Sequence, residues 1–209
     1  MAKLTIYGTP ASRCFRVLWM AEELGLDYDL DPINIHKSEQ NREGYDAVNP
    51  NRLVPSIKDG DFTLWESLAI NLYFARKDGG PLAPKGLEDE MRATQWSMWA
   101  LTRLEDPCVV LVQKAAGIVD HPDDKVAAAR KAVKAPLAVL DNVLADRDYL
   151  LGGDFTVADL NVASVSRVLK RVQYDMSAYP NASAWLDRCM ARPAYGAAAE
   201  MQNQAMKAA

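Results

Sequence analysis

Cysteine, histidine and excess positive charge are all scarce in this 209-residue chain, and each shortage excludes a class of function. Cys14, Cys108 and Cys189 form neither a CxxC pair nor an even disulfide framework, and with only His36 and His121 beside them a structural zinc site lacks a ligand set. Metal chemistry is therefore not expected. Twenty-four Lys and Arg against 28 Asp and Glu leave a net charge of −4, which offers no long-range attraction to a polyanion, so nucleic acid is not an expected partner. No window approaches ~18 uninterrupted apolar residues. The first residues, Met1 to Tyr7, read as a strand rather than a secretory signal. The expectation is a cytoplasmic protein without a membrane partner.

What the chain has is an ordinary globular composition, 49% hydrophobic and 25% charged. A chain of this size can bury about 70% of its unfolded surface without disulfides or metals. The first 80 residues hold most of the Gly, Pro and strand-like runs. Leu4-Thr5-Ile6-Tyr7 is a β-type run. Cys14, Val17, Leu18, Ala21 and Leu24 then recur at helical intervals until Gly25, and Tyr28 to Ile33 reads as a second strand, completing a βαβ unit. Val54 to Lys58 and Phe62 to Trp65 flank a hairpin signal at Asp59-Gly60-Asp61, and a helix follows through Leu68, Leu72 and Ala75. From Leu87 the pattern is helical, over about 87–116, 123–144, 156–172 and 182–191 with a short terminal helix. Pro136 must kink or split the second of these. The expected fold is thus α/β plus all-α: a βαβ-ββα domain over 1–80, a linker within Gly79 to Gly86, and an all-helical domain over 87–209.

Several constellations admit chemistry as well as a structural reading. Ser12 lies between a strand and a helix, where its hydroxyl can cap free N–H groups. For a lone serine that cap is the default reading, yet the same helix end favours an anion, so the hydroxyl could also donate to a ligand thiolate. Cys14 fits the apolar face better as a core residue than as an activated thiol. Val54-Pro55 opens a strand, and a cis bond there would turn the Val54 N–H and C=O toward a peptide-like ligand. Glu66-Ser67 starts a helix at the same sheet edge and suits the ammonium and carboxylate of an amino-acid moiety. Thr156 and Asp159 form a capping-box variant with a hydrophobic staple and are assigned to folding. Trp96 reads as packing, whereas Trp99 and Arg103, four apart, could form one wall of an apolar cleft.

Taken together, Tyr7-Gly8-Thr9-Pro10-Ala11-Ser12 with Arg16, Asn49-Pro50 leading to Val54-Pro55, Glu66-Ser67-Leu68-Ala69-Ile70, Thr156 to Asp159, and Tyr179-Pro180-Asn181-Ala182 through Trp185 to Arg192-Pro193 resemble the cytosolic glutathione transferases of the serine type, theta-, delta- and phi-like. The resemblance spans nearly the whole chain. It implies a thioredoxin-like first domain that binds glutathione as cosubstrate, an all-helical domain that takes a small hydrophobic electrophile, a homodimer, and a role in detoxification. By the same resemblance, Ser12 is the catalytic donor to the glutathione sulfur, Val54 with a cis Pro55 pairs with the cysteinyl backbone, and Glu66 and Ser67 hold the γ-glutamyl end. The family's basic pair for the glycyl carboxylate falls on Gln40 and Asn41, a departure from its pattern. Pro10, Trp99, Arg103 and Cys108 are the expected electrophile-pocket residues. A glutathione-dependent peroxidase, isomerase or dehalogenase would use the same first domain. A non-catalytic ligand- or partner-binding protein and a disulfide reductase using Cys14 are the other readings.

Overall fold

The computed structural model describes residues 4–208, with His36 described by its backbone alone. The expectations placed on Met1 to Lys3 and on the His36 side chain fall outside the described residues. The chain divides into two compact units, one running to Ala83 and resuming at Arg192, the other spanning Pro84–Ala191.

In the first unit β1 (Leu4–Tyr7), α1 (Cys14–Leu24), β2 (Tyr28–Asp31), β3 (Ser56–Asp59), β4 (Phe62–Trp65) and α2 (Ser67–Asp78) follow the expected βαβ-ββα order. The sheet order is β2-β1-β3-β4, with β1 parallel to β2 and antiparallel to β3, and β3 antiparallel to β4. Ile6 and Ile57 face each other across the centre of the sheet and are fully buried. β3 begins at Ser56, two residues later than its apolar run suggests. Pro55 carries no N–H for the ladder, so regular pairing waits for the residue after it. Gly25 ends α1 in the left-handed conformation, and its N–H returns to the carbonyls of the last turn.

In the second unit α3 (Gly86–Ala100) runs into one π-helical turn at Leu101–Glu105 and on into α4 (Asp106–Ala115), over the span expected as one helix. The cause lies in Pro107. An α-helical Pro107 would lack the N–H owed to the carbonyl of Arg103 and would press its ring against it, and a widened turn relieves that clash. The expected 123–144 helix is split at Val133 into α5 (Asp123–Ala132) and α6 (Lys134–Val143). Pro136 then sits in the first turn of α6, where its missing N–H costs nothing. α7 (Val157–Ser166) is buried along its whole length, with α8 (Val168–Arg171) and α9 (Pro180–Met190) following. Asp159 accepts from the N–H groups of Leu150 and Thr156, from Thr156 Oγ1 and from Trp185 Nε1, at 2.8–3.1 Å.

The last helix, α10 (Pro193–Lys207), packs on α1 and so belongs with the first unit, not with the helical one to which 192–209 is assigned by pattern alone. This explains a feature of α1. Phe15 and Trp19, off its expected apolar face, are buried because Tyr195 of α10 meets both rings edge-on, at 5.7 and 5.0 Å. Among the described residues no helix is long and apolar enough to cross a membrane.

Candidate functional site

Strand register places the candidate residues of the first unit along one edge. Asp31, Tyr7, Ser56 and Trp65 lie side by side as the last row of the sheet. Just beyond that row come the Gly8-to-Arg13 loop, Pro55 with Val54, and Glu66 with Ser67. Gly8 makes the row's edge close: a Cβ there would lie 3.1 Å from the Cβ atoms of both Cys14 and Val54, and its φ of +133° is one that side chains rarely tolerate.

Ser12 stands two residues before α1. Its hydroxyl donates to the Thr9 carbonyl at 2.7 Å and accepts the Cys14 N–H at 3.1 Å. The structural and chemical readings of this serine are therefore compatible. The amide that it caps polarises the same O–H that a sulfur anion would use. Cys14 is fully buried, and burial pushes its thiol well above the usual range, so it packs as a neutral core residue and offers no thiolate for disulfide exchange.

The Val54–Pro55 bond is cis. Among the described residues no group hydrogen-bonds the Val54 N–H or C=O. The turn leading to Val54 is fixed by a network that sequence reasoning missed. The Tyr45 hydroxyl and the Asn49 amide both donate to the Leu53 carbonyl, at 2.7 and 2.8 Å, and Asn49 also donates to Ser56 Oγ at 3.1 Å. Asn49 stands in the sequence within the Asn49-Pro50 motif that leads to Val54-Pro55, which gives no sign of these bonds; a tyrosine inside an otherwise polar loop is the signal for Tyr45.

Glu66 occupies the position just before α2 with φ 73° and ψ 109°, a sparsely populated conformation for a residue with a side chain, of the kind that costs on the order of 1–3 kcal/mol and persists where surroundings impose it. Its side chain is exposed, and Ser67 beside it is buried. Ser67 Oγ accepts a hydrogen bond from Arg16 Nη1 at 3.4 Å. Arg16 is itself buried, so a guanidinium lies behind the serine. The clue to Arg16 is composition: from Cys14 to Ala21 the helix is apolar on every side except for this one cation.

Gln40 lies in a short 3₁₀ turn, Glu39–Asn41. Its Oε1 is buried without a hydrogen-bond partner among the described residues, and Asn41 is exposed. Arg42, next along, grips Asp31 through both of its terminal nitrogens and lies 5.8 and 5.9 Å from the ring centres of Tyr7 and Tyr45, which ties this loop to the end of β2.

Pro10 is buried in the first unit. On the second unit Trp99 is half-buried against Trp96, edge to face at 5.1 Å, Arg103 is exposed within the π turn, and Cys108 is buried. An open depression of about 490 Å³ on that unit, lined by Lys170, Tyr174 and Asp187 among others, contains none of these residues. Lys170 is already paired there with Asp187.

Residues 2–76 match the family model described as Glutathione S-transferase, N-terminal domain, and residues 101–193 match Glutathione S-transferase, C-terminal domain. Among curated relatives, Glutathione S-transferase 1 of Zea mays is 33% identical over 92% of this chain and 94% of its own length. Probable glutathione S-transferase GSTF2 of Oryza sativa subsp. japonica is 32% identical over 92% and 94%. Among solved structures, the theta class glutathione S-transferase from Xanthomonas axonopodis pv. citri, with glutathione bound, superposes with a TM-score of 0.82 at 30% identity, covering 93% of this chain and 96% of that one.

Proposed function

The chain belongs to the glutathione S-transferase family and is a glutathione transferase, and on that premise we propose that it adds the thiolate of glutathione to small hydrophobic electrophiles, with Ser12 as the hydrogen-bond donor to the sulfur. The observation that carries the proposal is the single row of strand ends from which Ser12, Val54 and Glu66-Ser67 all emerge. A thiol of pKa about 8.5 is only a few per cent ionised at pH 7, so each unit of depression gives up to tenfold more nucleophile. Two features of the Ser12 position favour the anion: an O–H that exchanges the Thr9 carbonyl for a charged acceptor, and the partial positive charge of the α1 N-terminus.

The remaining contacts follow from the groups each residue presents. The unpaired Val54 N–H and C=O suit the cysteinyl backbone. The exposed Glu66 carboxylate suits the γ-glutamyl ammonium. Ser67, whose oxygen already accepts from Arg16, keeps its O–H to give to the γ-glutamyl carboxylate. Gln40 is proposed for the glycyl end, where its amide replaces a cation. Pro10, Trp99, Arg103 and Cys108 are proposed to shape electrophile preference. The test is conjugation of an aryl halide by the purified protein with glutathione. Turnover with a pH profile that rises below the titration of free glutathione is expected; tight glutathione binding without turnover across several electrophile types refutes the catalytic reading.

A homodimer is part of the proposal, supported by an apolar stripe on α3 in which Leu87, Met91 and Met98 are 73, 52 and 64% exposed. A solution mass equal to one chain of 23.1 kDa refutes it. A cytoplasmic location and a role in clearing electrophiles complete the reading, and three buried cysteines, none of them in a disulfide, fit a reducing compartment.

A further inference from the structure

The terminal helix does more than cover α1. It runs antiparallel along it and holds both ends. At the far end of α1, Arg192 forks onto Glu23, with Nε–Oε1 and Nη2–Oε2 both at 2.7 Å, and Glu23 also accepts from Trp19 Nε1. In the middle, Tyr195 stacks edge-on against Trp19 and Phe15. At the near end Gln202, only 6% exposed, donates from Nε2 to the carbonyl of Pro10 at 3.1 Å. That carbonyl belongs to the loop whose next turn carries Ser12.

We infer that Gln202 is a positioning residue for the Ser12 hydroxyl. The argument is one of remaining freedom. Pro10 has its φ fixed by the ring, so the direction of the chain from Thr9 to Ala11 is set by one soft dihedral, its ψ, which is also the angle that aims the Pro10 carbonyl. An amide that holds the carbonyl therefore fixes the path of the loop. Ser12 closes that loop with two bonds to the Thr9 carbonyl, from its N–H at 2.9 Å and from its Oγ at 2.7 Å. Releasing the Pro10 carbonyl frees the Pro10 ψ, one of the few soft dihedrals between Thr9 and Ser12, and so misdirects the hydroxyl. Arg192 and Tyr195 place the helix; Gln202 transmits that placement to the site.

This inference rests on Ser12 acting on the glutathione sulfur, and the experiment separates the two. Gln202→Met keeps the length of the side chain and removes the donor. Gln202→Asn keeps an amide one carbon short, and Gln204→Ala, at an exposed residue bonded to Glu200, is the control. The bound thiol is titrated by the ultraviolet absorbance of its thiolate and by the pH profile of kcat/KM, alongside affinity for S-methylglutathione, which has no thiol to ionise. Loss of one hydrogen bond's worth of alignment converts to about two- to tenfold. The expected result for both Gln202 variants is a bound thiol that titrates higher and a kcat/KM lower by that factor at about pH 6.5, converging on the parent as the thiol ionises unaided. S-methylglutathione affinity and the Gln204→Ala profile are expected to stay within about twofold of the parent. If the parent lowers the thiol pKa and the profile of either Gln202 variant superimposes on it, the inference fails while the role of Ser12 stands. A fall in S-methylglutathione affinity equal to the fall in kcat/KM also overturns it, because the defect is then general. A parent protein that leaves the bound thiol at its solution value overturns both.

Discussion

Replacing Ser12 by alanine removes one oxygen with two partners. The donor half of the loss is the O–H now given to the Thr9 carbonyl at 2.7 Å, and the acceptor half is the cap on the Cys14 N–H at 3.1 Å. A hydrogen bond to a charged group contributes about 1.5–3 kcal/mol against about 0.5–1.5 for a neutral one, so moving the O–H from Thr9 to a thiolate favours ionisation by about 1–1.5 kcal/mol. At 1.36 kcal/mol per tenfold, that is a factor of about ten in bound thiolate. The helix end contributes a further ~0.3–1 kcal/mol that alanine leaves intact, so the variant's bound thiol should still titrate below the free one. The capping loss falls on folding, about 0.5–2 kcal/mol, and is read separately in a urea midpoint. The assay is kcat/KM for an aryl halide from about pH 6 to pH 9.5. Ser12→Ala should lie about tenfold below the parent at the acid end and meet it at the alkaline end, while Ser12→Thr, which keeps both partners, should follow the parent. A constant ratio across the range refutes the reasoning, because the serine then acts on something other than ionisation. A ratio under about twofold at the acid end refutes Ser12 as the activator.

Three further outcomes rest on separate parts of the molecule. Asp159→Ala leaves four buried donors without an acceptor and should lower stability by about 3–5 kcal/mol in urea unfolding; a loss under about 1 kcal/mol means that the network contributes little. Asp59 is bonded to Lys77 and Tyr73, and these partners hold its carboxyl below the usual range. Its folded pKa is the lower one, so its contribution is complete above the unfolded value near ~3.9 and is lost as pH falls through the folded value. Asp59→Asn should flatten that acid limb, and an unchanged limb in acid-unfolding curves contradicts the assignment. Tyr45→Phe removes a donor to the Leu53 carbonyl and should raise KM for glutathione by about two- to tenfold with kcat little changed; the opposite split would place Tyr45 in the chemistry rather than in binding.

The pieces legible in the sequence are those whose chemistry is local. Ser12, Val54-Pro55 and Glu66-Ser67 each sit at a junction of strand, loop and helix that period and breakers alone locate, and register then lines the junctions up along one sheet edge. Pro136 is legible as a break because a proline acts on its own helix, whereas Pro107, by the same physics, widens its helix into a π turn without ending it. The residues that hold the site in shape lie at no such junction, and their partners are far away in sequence. Arg16 reaches Ser67 across 51 positions, and Gln202 reaches Pro10 across 192. A glutamine on a terminal helix has the same local signature whether it meets solvent or a buried carbonyl, because the difference lies in the packing of α10 on α1. Phe15, Trp19 and Tyr195 drive that packing, and the first two fall off the face that periodicity marks as apolar. Phe15 and Trp19, apolar residues outside the marked face of α1, require a second partner to cover them, and the helix that does so is the one whose amide holds the loop carrying Ser12.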